Sequence, residues 1–227
     1  MLDWLFAPID AGRLHDVGFY LSWHARLMVI AWVFCIPFGI IVARFFKVWP
    51  GQDWPQTLDN KTWWHLHRTL QYSACFLMAV ALGLVYLASR EHVLPGPHAW
   101  VGWAVLALVS AQILGAIARG TKGGPTEPHQ DGSLRGDHYD RTLRRRAFET
   151  VHKATGYAAL MLSVGAILSG LWQSNAPRWM WIVICSWWIA VALLYLVLQR
   201  QGLAMSSYHA IWGTDETLPG NLPRGLR

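Results

Sequence analysis

Charge is what this 227-residue sequence has least of: Asp, Glu, Lys and Arg make up 14% of it, well below the share in soluble domains. The deficit is local. Residues 27–43, 69–89, 99–118, 154–177 and 179–199 contain no Asp, Glu, Lys or Arg at all, and each run meets or approaches the ~20 apolar residues that cross a bilayer. The first 18 residues hold Trp4, Phe6, Pro8, Arg13 and His15, too polar and interrupted for the apolar region of a signal peptide. The first apolar run is therefore the expected insertion signal. Cysteine is scarce as well. Cys35, Cys75 and Cys185 all lie in or beside apolar stretches, where a thiol behaves as a small hydrophobe and a disulfide is not expected.

What remains is apolar and aromatic: 54% hydrophobic residues, 15 Trp and a mean hydropathy of +0.26. Backbone polar groups in lipid must pair within their own segment. The expected fold is an all-α integral membrane protein with five transmembrane helices, four forming a cofactor-binding bundle and one peripheral. Its expected parts are an exterior segment 1–18, a four-helix core 19–172 with a long cytoplasmic loop 119–146, a fifth helix 179–199 and a tail 200–227. Pro37 is expected to kink the first helix, and Asp59 and Asn60 are N-cap candidates for the second.

The net charge of +6 is a topology signal. Arg44, Lys47, Lys61, Arg68, Arg119, Lys122, Arg135, Arg141, Arg144, Arg145, Arg146, Lys153, Arg200, Arg224 and Arg227 sort to one side; Arg13, Arg26, Arg90 and Arg178 sort to the other. The positive-inside rule then places the N-terminus outside and the C-terminus in the cytoplasm, with a bacterial inner membrane as the expected home. No nucleic-acid module accompanies the charge, so nucleic acid is not an expected partner.

Four of the runs carry a histidine near their amino-terminal end: His24, His67, His98 and His152. In an up-and-down bundle alternate helices start on opposite faces, which pairs His24 with His98 at one face and His67 with His152 at the other. Paired neutral imidazoles without thiolates or carboxylates suit the axial positions of a haem iron better than a tetrahedral metal site. Two haem groups follow, and the absence of Cys-x-x-Cys-His makes them b-type, held without covalent attachment. His67 is preferred to His65 because Gln71 and Ala74 follow on its face. Gly102 and Gly156, each four residues after a histidine, leave room for a flat macrocycle, or alternatively for close helix packing. Trp63 and Trp64 read as belt anchors, and His15 and His209 as structural. In the long loop, His129, Asp137, His138 and Asp140 read as solvated rather than metal-binding. Arg144, Arg145 and Arg146 are expected to meet anionic lipid, a haem propionate or an acidic reductant.

The stretch His24-Ala-Arg-Leu-Met28 with Trp32, Pro37, Gly39 and Ala43-Arg44 resembles the first core helix of the cytochrome b561 family. The likeness is strongest to the form joined to DOMON domains, of which this chain looks like a bacterial-type relative. Leu66-His67 with Gln71 and Ser73-Ala74, His98 with Gly102 and Gln112, and His152 with Gly156-Tyr157 resemble the next three helices. The resemblance implies a transmembrane carrier of single electrons with two haem b groups. It also implies that Lys61 and Arg146, six residues before His67 and His152, help hold an ascorbate-like reductant. The departures are the lack of an attached DOMON domain and the long 119–146 connection. The expected partners are membrane lipid and a small-molecule or protein donor and acceptor, and a homodimer is compatible with the sequence. One rival reading is a quinone-linked cytochrome b, either a dehydrogenase anchor or a superoxide:quinone oxidoreductase. The other is a haem-free membrane scaffold.

Overall fold

The computed structural model describes residues 2–88 and 96–222; Ser89, Arg90, Arg224 and Arg227, used in the charge and run assignments above, lie outside them. A short α1 (Leu2–Phe6) precedes the first span, which runs as α2 (Gly18–Val29), a π-helical turn (Ile30–Cys35) and α3 (Ile36–Phe45). Then come α4 (Thr62–Ala88), α5 (Pro97–Ile117), α6 (Leu143–Gln173), α7 (Arg178–Arg200) and a short α8 (Ser207–Trp212). The first span, α4, α5, α6 and α7 are each long and apolar enough to cross a membrane. The chain is an all-helical integral membrane protein.

Pro37 does not break the first span. In α register the carbonyl of Val33 would accept from the N–H of residue 37, which proline lacks. The indole of Trp187, on α7, donates to that carbonyl instead, at 3.0 Å. The π turn lies immediately before the proline, where it rotates the helix face by an extra residue. Through this contact and the neighbouring Phe34 and Phe38 rings, α7 packs on the outside of the first span.

The principal interhelical packing joins the first span to α4 and α5 to α6. No comparably packed helix pair bridges those two pairs among the described residues. What joins them is an apolar core at mid-depth that draws Ala31 and Val33 from the first span, Ala74 and Met78 from α4, Val105 from α5 and Ala159 from α6.

At one end, the segments expected to be solvated are folded into a cap. Asp59 does not cap α4. It adopts a positive φ of 56° and is 7% exposed; its Oδ2 accepts from Lys122 Nζ at 2.6 Å and from the Thr126 hydroxyl. Asn60 keeps the capping role, its Oδ1 accepting from the Thr62 N–H at 2.9 Å. The long connection ends at Thr142, whose hydroxyl accepts from the Arg145 N–H, so Arg144, Arg145 and Arg146 lie in the first turn of α6 rather than in a loop. Arg144 donates twice to the Ala118 carbonyl, at 3.0 and 2.8 Å, and thereby caps the end of α5. Its guanidinium is committed to the fold.

His138 is fully buried rather than solvated. Its Nδ1 lies 3.4 Å from Glu149 Oε1, too long for a good hydrogen bond, and its ring meets the edge of Tyr208 at 5.5 Å. Tyr208 donates to the Tyr139 carbonyl at 3.1 Å, and Trp212 packs on the Tyr139 ring at 4.5 Å. The Lys47 ammonium donates to the Met205 carbonyl at 2.6 Å. The first connection, the 118–142 connection and the tail thus make one structure over this face, called here the capped face.

At the opposite face the N-terminal segment is held by Asn175, which is 1% exposed. Its Nδ2 donates to the carbonyls of Asp10 and Arg13 at 3.0 and 2.6 Å, and its Oδ1 accepts from the Asp10 N–H at 3.0 Å.

Candidate functional site

Seven residues past each of the four histidines, two helical turns deeper on the same face, stands a buried residue: Ala31, Ala74, Val105 and Ala159. The four helices share one register. The mid-depth core therefore separates two levels of histidine, His24 with His98 at one level and His67 with His152 at the other.

Three of the four imidazoles are tied to a backbone carbonyl of the helix they pack against. His24 Nδ1 lies 3.1 Å from the Ala81 carbonyl, His67 Nδ1 2.9 Å from that of Gly39 and His98 Nδ1 2.8 Å from that of Ala166. A carbonyl only accepts, so Nδ1 carries the proton and Nε2 keeps its lone pair. This is the arrangement that orients a metal-binding histidine and raises its basicity. Ala81 lies 14 residues beyond His67 and Ala166 lies 14 beyond His152, whereas Gly39 lies 15 beyond His24, the π turn supplying the extra residue. At the 1.5 Å rise of an α-helix, these offsets separate the two levels by about 21 Å.

The His24 and His98 rings face each other with centroids 6.2 Å apart and planes at 89°. Two imidazoles bound to one metal through nitrogens at about 2.0–2.1 Å have centroids roughly 6 Å apart, so the spacing of this pair is compatible with a metal held between them. His67 and His152 share the other level, each seven residues from the mid-depth core. His152 differs from the other three because its Nδ1 is buried without a hydrogen-bond partner. Gln112 holds the backbone there instead, its Nε2 donating to the His152 carbonyl at 2.8 Å and contacting the Thr155 hydroxyl. A cavity of about 250 Å³ lies beside it, lined by Ala111, Gly115, Phe148, Val151, His152 and Thr155 among others.

The glycines divide by surroundings. A Cβ at Gly102 would meet nothing within 4 Å, whereas one at Gly156 would stand 3.5 Å from Gln112 Nε2, against α5. Two further glycines serve the site. At Gly170 a Cβ would lie 3.0 Å from His98 Cε1, and at Gly39 it would fall on the Gln71 amide. Gly39 is one of the residues that carry the family resemblance, whereas Gly170 has no sequence signal beyond being a small residue in an apolar run.

Lys61 is bound by the cap, pairing with Glu127 at 2.6 Å. Arg146 is exposed. His65 is exposed while His67 is partly buried. Trp64 is more than a belt anchor, since the Arg119 guanidinium stacks on it at 4.6 Å and its ring lies 6.3 Å from that of His67. No cluster of three or more His, Cys, Asp or Glu side chains suited to a metal ion occurs among the described residues. In the connection, Asp137 and Asp140 accept from the N–H groups of Thr121 and Gly136.

Fold and histidine geometry together define a class: a helical membrane protein with imidazoles opposed on facing helices. Residues 23–123 match the family model described as eukaryotic cytochrome b561, and the chain belongs to the cytochrome b561 family. The matched stretch contains His24, His67 and His98, and His152 follows it. Among curated proteins, the chain is 32% identical over 170 residues to a putative ferric-chelate reductase 1 of Xenopus laevis, covering 72% of this chain and 24% of that protein. It is 29% identical to ferric-chelate reductase 1 of Homo sapiens, covering 73% and 24%. It is 25% identical to a cytochrome b561, DM13 and DOMON domain-containing protein of Arabidopsis thaliana, covering 82% and 19%. The chain thus spans about a quarter or less of the length of these relatives. All three are eukaryotic and lend nothing to a bacterial placement. No solved structure gives a significant match. Family membership implies haem b binding.

Proposed function

We propose that the protein is a di-haem b-type cytochrome that carries single electrons across the membrane. His24 and His98 would hold one haem, and His67 and His152 the other. The observation that carries the reading is the shared register: four imidazoles at two levels about 21 Å apart, three of them tied through Nδ1 to a neighbouring helix. Haem, when bound, supplies a one-electron couple whose potential depends on axial ligands, hydrogen bonds and burial. The chain's own work is to orient the rings, to fix their tautomers and to keep water out of the layer between the levels with Ala31, Ala74, Val105 and Ala159.

Positive charge gathers at the capped face, and the positive-inside rule would turn that face toward the cytoplasm. A donor approaching there meets Arg146 directly and Lys61 once the Glu127 pair opens. The printed names of the relatives suggest the acceptor at the opposite face, a ferric chelate reduced as substrate.

The test is a quantitative haem assay with a visible spectrum on purified protein, repeated for His98→Ala and His152→Ala. Two b haems per chain with one lost in each variant is the expected result; a colourless parent protein overturns the reading. Vesicles loaded with ascorbate and given an external ferric chelate then test the direction.

A further inference from the structure

Beside the capped-face histidines, two arginines share one indole. The Arg119 guanidinium carbon stands 4.6 Å from the Trp64 ring centroid and that of Arg68 stands 5.6 Å away, with Arg68 also 5.4 Å from the Tyr72 centroid. Stacking occupies the face of a guanidinium and leaves its in-plane N–H groups directed outward, free to fork around an anion.

The nearby carboxylates are already engaged. Glu127 is held by Lys61 at 2.6 Å, and Glu149 by Arg141 at 2.9 Å and Arg145 at 3.1 Å. Among the described residues, neither Arg68 nor Arg119 forms an ion pair. Arg119 is half-buried, and burial, followed by the charges of Arg145 and Arg68, pulls its pKa below the ordinary arginine value. Glu127 opposes that shift only in part, so a half-buried guanidinium with no ion pair of its own is favoured by an added anion. Trp64 also ties the cluster to the histidine level, its ring lying 6.3 Å from that of His67 at an interplanar angle of 26°. The Trp64–Arg119 contact runs from α4 to the second residue past α5, so it bridges the two helix pairs.

We propose that Arg68 and Arg119, oriented by Trp64, form a binding site for a carboxylate or phosphate anion at the mouth of the His67/His152 level. A planar guanidinium fork recognises both groups through paired hydrogen bonds, which an ammonium does not reproduce. The anion has two possible sources, a carboxylate carried by the bound cofactor or a free anion from solution. The first source rests on the haem reading; the second does not. The site is separate from Lys61, which the cap holds through Glu127.

The experiment titrates inorganic phosphate, at constant ionic strength, into the purified full-length protein and follows its thermal unfolding midpoint. The protein is used haem-free, loaded with haem, and loaded with haem dimethyl ester, whose carboxylates are blocked. A saturable rise in all three forms identifies a free anion. A rise confined to the haem-free and dimethyl ester forms identifies the cofactor's carboxylate. In either case Arg119→Gln abolishes the rise and Arg119→Lys restores only part of it. Arg68 is exposed, so Arg68→Gln reads the site even if Arg119→Gln does not fold. An unchanged response in both glutamine variants, or no response in any form, overturns the proposal. A chain that takes up no haem yet shows the Arg119-dependent rise keeps this site and discards the haem reading.

Discussion

The Trp187 indole donates to the Val33 carbonyl across 3.0 Å, from α7 to the first span, at the carbonyl whose α-helical partner would be Pro37. The pair joins the fifth span to the bundle and offsets the cost of a proline inside a membrane helix, where an unpaired carbonyl finds no water.

Trp187→Phe keeps an aromatic ring and removes the donor. It should destabilise the protein by about 1–3 kcal/mol, the cost of a buried unsatisfied carbonyl. In a Pro37→Ala background residue 37 regains an N–H, so the same change should cost less. Thermal unfolding of the four proteins in detergent measures this coupling, and an equal loss in both backgrounds would contradict it.

Gly170→Ala should disturb His98 selectively. The new Cβ would stand 3.0 Å from His98 Cε1 and 3.2 Å from Nδ1, so the ring has to give way against its contact with the Ala166 carbonyl. The expected outcome is loss of haem from the His24/His98 level alone, seen as a drop in stoichiometry with the remaining spectrum intact. Gly165→Ala, where a Cβ meets nothing within 4 Å, is the matched control and should change neither.

Acid should loosen the cap through His138. Burial pushes its pKa below the ordinary 6.5, outweighing the opposing pull of Glu149, while Arg145 and Arg141 add to the depression. As pH falls through 6.5 the unfolded chain takes up a proton that the folded cap resists, so stability is full above that value and declines below it. Limited proteolysis of the 118–142 connection at pH 7.5 and 5.5 should show faster cleavage in acid, and His138→Phe should flatten the difference.

Lys47 titrates in the other window. Burial, with Lys153 and Arg44 nearby, lowers its pKa from 10.5 to about 8. Between those values the unfolded amine holds a proton that the folded one has lost, so stability rises with pH across that range and the full cost stands below it. Lys47→Met should therefore raise the unfolding midpoint at pH 7. The gain is at most about 3 kcal/mol, less about 1 kcal/mol for the hydrogen bond to the Met205 carbonyl. The advantage should shrink toward pH 10.5.

The spans were legible in the sequence because they depend on a local signal, uncharged length, and the histidines drew notice as polar residues at the edge of each run. Even the seven-residue offset from His67 to Ala74 could be read directly. The cap was not legible. His138, Asp59 and Lys47 sit in polar stretches that look solvated, and their burial depends on contacts such as Tyr208 with Tyr139, 69 residues apart in the chain. Trp187 reads as one apolar residue among many, and its donor role appears only when a span 154 residues away presents a carbonyl. Gly170 lay in a run where any small residue passes unnoticed, and the start of α6 was placed too late because Arg144 to Arg146 look like loop.

The layer of Ala31, Ala74, Val105 and Ala159 has a consequence for energy coupling. Small apolar side chains packed at mid-depth give a proton no relay of water or carboxylates, while an electron needs neither. If the proposed haem pairs pass an electron across this partition, its charge would not be neutralised on the way, and each transfer would be electrogenic. A membrane potential then acts on the reaction by as much as about 2.3 kcal/mol per 100 mV for a charge that traverses the whole bilayer, and by a proportionate fraction for the span between the two levels. The protein's direction would thus be set by the voltage across its host membrane as well as by the chemistry of its partners.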